Sequence, residues 1–119
     1  MNSLMMRIRN TTTGEIVATN VKKATGWLDR MMGLIPRKHV DASEGVWFED
    51  CSLIHTVGMQ TRIDVVFLDK EQRVIRTICA VPQNRFAIGC VGAKSVVELG
   101  SGTLDSCNVL VGDRLELEV

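Results

Sequence analysis

Apolar and polar residues alternate with a period of two along much of the chain. Leu4, Met6 and Ile8 alternate with Met5, Arg7 and Arg9, which predicts a half-buried strand. Thr11-Thr12-Thr13-Gly14 reads as a turn, and Glu15 to Val21 as the returning strand of a hairpin. The three threonines lack the glycine-rich pattern of a phosphate loop. Gly45 to Phe48 is expected to be a short strand, and Ile63 to Leu68, apolar almost without interruption, the most buried one. The polar turn Asp69–Gln72 leads into a returning strand over Arg73 to Val81, and Val96 to Leu99 forms another. Gly100 to Asn108 suits a turn and one helical turn. After the tight turn Val111-Gly112-Asp113, the last strand points Leu115, Leu117 and Val119 inward and Arg114, Glu116 and Glu118 outward.

One stretch switches to a helical period. Thr25 can cap it, Trp27, Leu28, Met31 and Ile35 share a face, and Gly33 and Pro36 end it. Lys38 to Glu44, with His39, is a polar loop. Pro82 to Gly92, which holds Arg85, Phe86 and Cys90, is the longest irregular piece, a connector or a lid. The expected fold is therefore mainly β: a small single-domain β barrel or sandwich over residues 1–119, with one short α-helix near residues 25–34.

Composition narrows the functional classes. The 119 residues include 14 Lys plus Arg against 14 Asp plus Glu, so the net charge is zero and no nucleic-acid partner is expected. No apolar run approaches the ~20 residues of a membrane span, and MNSLMMRIRN does not read as a signal peptide. A soluble, cytoplasmic protein is the expectation. Cys51, Cys79, Cys90 and Cys107 are widely spaced with no CxxC pair, so reduced thiols behaving as small hydrophobes are expected rather than disulfides or a zinc site.

The chemistry gathers in CSLIHTVGMQTRIDVVFLD, from Cys51 to Asp69, where polar groups abut the most apolar strand. Cys51, His55 and Met59 are soft donors four residues apart. In extended chain such neighbours lie ~13 Å from one another, so neither a metal site nor a cofactor is expected. Cys51 with His55 has the parts of a thiolate–imidazole pair, against which stands a buried thiol and a histidine bonded to backbone. Asp64 interrupts an apolar run, so its carboxylate must find backbone donors or an arginine such as Arg62, Arg30 or Arg37. Arg85 could cover a cleft bordered by His55, Thr56, Met59, Arg62 and Asp64.

Three blocks make the chain resemble domain-of-unknown-function family 192. They are Arg30 with Gly33-Leu34 and Arg37, then Cys51 to Asp69, then Val97-Glu98-Leu99 with Gly102 and Gly112-Asp113. The resemblance implies a compact, mainly β domain with one short helix and no assigned activity. The chain departs from the family at Gln60, Thr61 and Arg62, where a basic residue, an aromatic and a proline are frequent, and at Val57, where an aromatic is common. Another branch of the family has an aromatic in place of His55. The function read from these residues is an uncharacterised binding or accessory domain for a small molecule or peptide. The alternatives are an enzyme using Cys51 or His55, or a structural subunit docking through the Trp27–Met32 face.

Overall fold

The structure is a computed structural model that describes residues 6–24, 41–85 and 87–119. The helix expected near residues 25–34, and with it the Trp27–Met32 face, lies outside the described residues, as do Arg30, Arg37, His39 and Phe86.

The protein is mainly β. The strands are β1 (Met6–Asn10), β2 (Ile16–Ala24), β3 (Glu44–Glu49), β4 (Leu53–Ile54) and β5 (Ile63–Leu68). They continue with β6 (Val74–Val81), β7 (Ile88–Gly89), β8 (Ser95–Gly100) and β9 (Leu115–Glu118). One helical turn, α1 (Thr103–Ser106), sits within the 100–108 stretch where the sequence suggests it. Seven strands form a mixed sheet in the order β6-β5-β8-β3-β2-β1-β9, and β4 pairs with β7 in a separate ribbon. β2 and β3 run parallel, whereas the other neighbours in the large sheet run antiparallel.

The central strands β5, β8 and β3 are buried on both faces, apart from Glu49 at the end of β3, which explains their almost unbroken apolar runs. Alternate residues feed two cores. Val46, Phe48, Val65, Phe67 and Val96 point to one face, against the β4–β7 ribbon. Trp47, Val66, Leu68, Val97 and Leu99 point to the other, where Ile8, Val21 and Leu115 from the far side of the sheet also meet them. The sheet therefore curls around this second core. Its edges touch at one point, the Arg73–Arg114 bridge, where the Val74 N–H donates to the Asp113 carbonyl (2.8 Å) and the Leu115 N–H to that of Gln72 (3.0 Å). The architecture lies between the expected barrel and sandwich, curled but not zipped along a seam.

Two readings change and a third is extended. Val119 is 77% exposed, so the inward face of β9 ends at Leu117. Part of the irregular 82–92 stretch is β7, a partner two residues long that periodicity cannot reveal. Asp113 does make the local turn bond expected of it, from the Leu110 N–H (3.0 Å), and it also accepts the Asn10 amide (2.8 Å) from the opposite end of the chain.

Candidate functional site

Asp64 lies at the start of β5 and is 1% exposed. Its carboxylate takes none of the proposed arginines among the described residues. Instead Oδ1 accepts the Ala80 N–H (2.8 Å), and Oδ2 accepts the N–H groups of Gly102 (3.1 Å) and Leu104 (3.0 Å). Gly102 begins α1 without a side chain that could cap it, so Asp64 supplies the missing acceptor from another element. On its other side Asp64 fixes a bulge. Between Ile63 and Val65 the β5–β6 register slips, and Ala80 is held at φ 52. The Arg62 guanidinium donates to the Ala80 carbonyl (3.2 Å), so both peptide groups of this left-handed alanine are tethered. Asp64 is a joint between β5, β6 and α1.

Thr56 is the second joint. It is completely buried, and its hydroxyl donates to the Pro82 carbonyl (2.8 Å) while accepting the Arg85 N–H (2.8 Å). Its backbone N–H donates to the Arg85 carbonyl, and its own carbonyl accepts from Asn84 (2.9 Å) and Met59 (3.1 Å). These bonds clip the chain after β4 to the chain after β6. Gly58 at φ 84 and Asn84 at φ 62 make the turns that let both loops fold back. Thr56, expected to border the cleft, is instead buried in the clip.

Met59 is 5% exposed and belongs to the first core, beneath the loops rather than on their rim. His55 is half-buried, and its Nδ1 is buried without a hydrogen-bond partner. Arg85 is exposed, and its guanidinium makes no bond among the described residues. The Thr56 clip thus leaves His55 and Arg85 on directly bonded backbone segments, with Arg62 also exposed at this end of β5 and β6. The left-handed Ala80 has no signal in the sequence, while asparagine at 84 is a residue type that tolerates this conformation.

Cys51 is half-buried and donates its thiol to the Leu53 carbonyl (3.1 Å). Among the described residues no group of three His, Cys, Asp or Glu is placed to hold a metal ion. All four cysteines are free. Burial pushes the Cys79 thiol up, helped by the carboxylates of Asp64 and Asp105, although Cys79 itself is largely at the surface. Burial, then Glu15, does the same for Cys107. Thiolate being the reactive form, both should react more slowly at neutral pH than glutathione. Thiol titration of native and denatured protein without reductant checks this. A native mass lower by two protons per cysteine pair, or native thiols as fast as glutathione, would contradict it.

The chain is similar in sequence and in fold to known proteins. A UPF0127 protein from Thermococcus sibiricus is 32% identical over 114 residues, covering 92% of this chain and 73% of that protein. A UPF0127 protein from Pyrococcus furiosus is 29% identical over 120 residues, covering 90% and 94%. Two solved structures share the fold. A putative transcription regulator from Sinorhizobium meliloti has a TM-score of 0.83 at 23% identity, covering 98% of this chain and 96% of that one. A protein of unknown function from Novosphingobium aromaticivorans has a TM-score of 0.80 at 17% identity, covering 96% and 84%. The family described as Uncharacterized ACR, domain-of-unknown-function family 192, matches residues 8–117, and the chain belongs to it.

Proposed function

We propose that the chain is a small cytoplasmic binding module, acting as one domain across residues 1–119. It recognises an acidic group, such as the terminal carboxylate of a peptide, at the rim formed by His55, Arg62 and Arg85. The observation that carries this reading is the Thr56 clip. It holds two loops in register through a buried hydroxyl and puts a half-buried histidine and an exposed arginine, neither with a side-chain hydrogen bond among the described residues, on the two bonded segments. The backbone segments that carry both donors are already braced, so less freedom is lost on binding than in a floppy loop. A guanidinium is suited to a carboxylate because its N–H fork matches the two oxygens. Asp64 and Met59 support the rim from below and do not touch the ligand.

An enzyme built on Cys51 and His55 is less well supported, since the thiol donates to a backbone carbonyl rather than to the imidazole. The free thiols suit a reducing compartment. Among the described residues no helix is long and apolar enough to cross a membrane. What is said of the Sinorhizobium meliloti protein belongs to that protein, and the zero net charge here argues against a nucleic-acid partner.

The test is a titration of the 15N-labelled chain with an acetylated tripeptide ending in a free carboxylate, against the same peptide amidated. Saturable amide shifts are expected in residues 55–62 and 83–85 with the carboxylate alone. His55→Ala and Arg85→Ala should each weaken binding about tenfold, the equivalent of one hydrogen bond to a charged group. Equal shifts with the amidated peptide, or none with either, would show the rim is not a carboxylate site.

A further inference from the structure

A second constellation lies at the other end of the sheet, where β5 leaves the core. Ile63 and Leu68 are five steps apart in extended chain, which puts this end roughly 17 Å from the His55 rim. A hollow of about 170 Å³ opens there between Glu49 and Asp50 after β3 and Lys94 and Ser95 at the start of β8. The β5–β6 turn closes it with Asp69, Lys70 and Gln72. A smaller hollow of about 120 Å³ adjoins it, sharing Asp50 and Lys94 and reaching Cys51 and Ser52.

The bonds within this group are unevenly distributed. Glu49 pairs with Lys23 (3.2 Å), and Asp50 is engaged within the chain. Asp69 commits only Oδ1, which accepts the N–H groups of Glu71 (2.8 Å) and Arg73 (3.0 Å). The side chains of Lys70 and Lys94 have no bond or ion pair among the described residues, and neither has the side chain of Ser95 or Gln72. The walls thus offer two uncommitted ammonium groups, a hydroxyl and an amide, set against a carboxylate with a spare oxygen. The backbone that shapes them is unusual as well. Asp50 (φ 50) and Gln72 (φ 64) both sit in the left-handed region. Such conformations cost energy in a residue with a side chain, and they persist where the surrounding bonds impose them. Here the Gln72 N–H donates to Asp69 (3.0 Å) and the Cys51 N–H to Lys94 (2.9 Å), so the walls are braced before any ligand arrives.

We infer that this hollow is a second binding site, separate from the rim, and that it takes a small zwitterion of the free α-amino-acid class. The lysines would receive its carboxylate, and the free Asp69 oxygen its ammonium. A simple anion fits less well because three carboxylates line the same hollow, and a simple cation less well because both lysines would oppose it. The volume suits a compact amino acid with a short polar side chain, which Ser95 and Gln72 could meet.

The test uses the full chain, 15N-labelled, titrated separately with L-serine, acetate, ethylamine and inorganic phosphate. L-serine should shift the amides of Asp50, Lys70, Lys94 and Ser95 saturably, and the three singly functional probes should not. Lys94→Gln, which removes the charge and leaves a polar side chain one atom shorter, should weaken L-serine binding about tenfold, as should Lys70→Gln. Both variants should keep the wild-type melting temperature and the unchanged response of the His55 rim to the carboxylate peptide. An equal response to acetate or phosphate, no response to L-serine, or L-serine shifts centred on residues 55–62 would overturn the inference. Because the peptide and L-serine report from opposite ends of the sheet, failure at one end is distinguishable from failure at the other.

Discussion

Asp64→Ala should lower the free energy of unfolding by about 3 kcal/mol, since it strands three part-buried N–H donors at ~1 kcal/mol each, the low end for an unsatisfied group. The donors belong to Ala80, Gly102 and Leu104, and no other acceptor among the described residues replaces the carboxylate. Against a typical total of ~5–15 kcal/mol, such a loss is a large share of the stability of the fold. It should appear as a fall in Tm of roughly 10 °C or more for a domain of this size. Two further losses accompany it. Ala80 is no longer held at its positive φ from the N–H side, and α1 loses the acceptor that caps it from β5. Asp64→Asn separates these contributions. Its amide oxygen can still accept from one side, but its NH₂ would face a second set of N–H groups, so the variant should fall between wild type and Asp64→Ala. Urea melts followed by circular dichroism measure both. An Asp64→Ala protein as stable as wild type would mean that the three donors find water or other acceptors.

Thr56→Val should cost about 2–4 kcal/mol, nearly as much, although it changes only a hydroxyl into a methyl group. Shape is almost conserved, so the effect reports the two bonds alone: the Pro82 carbonyl loses its donor and the Arg85 N–H its acceptor, both beside a residue with no solvent exposure. The consequence for recognition differs from that of Asp64→Ala. Loosening the clip lets the 82–85 loop drift from the 55–62 loop, so the rim should lose affinity for the carboxylate peptide even at temperatures where the protein stays folded. Thermal melts and the peptide titration, both run on Thr56→Val, check the two halves. Stability and affinity both unchanged would remove the clip from the account.

Much of the fold was legible because the central strands obey simple rules. The run at Ile63–Leu68, apolar except for Asp64, marks a strand covered on both faces, and the alternation in β1 and β9 marks strands with one face partly open to solvent. The parallel pairing of β2 with β3 was not legible, because register between distant strands depends on contacts rather than on local pattern. Nor was the β4–β7 ribbon, each strand of which is only two residues long. The candidate site was half legible. Asp64 stands out as an acid inside an apolar run, and its burial follows from that, yet its three partners come from positions 80, 102 and 104, which no spacing rule connects. Thr56 misleads: a threonine before a glycine turn resembles a surface residue, and only the return of the 82–85 loop buries it. The hollow at Asp50, Asp69 and Lys94 was invisible for the same reason, being assembled from the ends of three strands.

One stretch carries both residues that hold the fold and residues left for a ligand, and the melting temperature of His55→Ala tests that division most directly. His55 is half-buried with an unpartnered Nδ1, whereas Thr56 beside it is fully bonded. Removing the imidazole should therefore cost under about 1 kcal/mol, a shift of no more than ~4 °C, in the range of substitutions that break no buried bond. If His55→Ala instead melts as early as Thr56→Val or Asp64→Ala, the imidazole is part of the scaffold and the proposed rim has lost its centre.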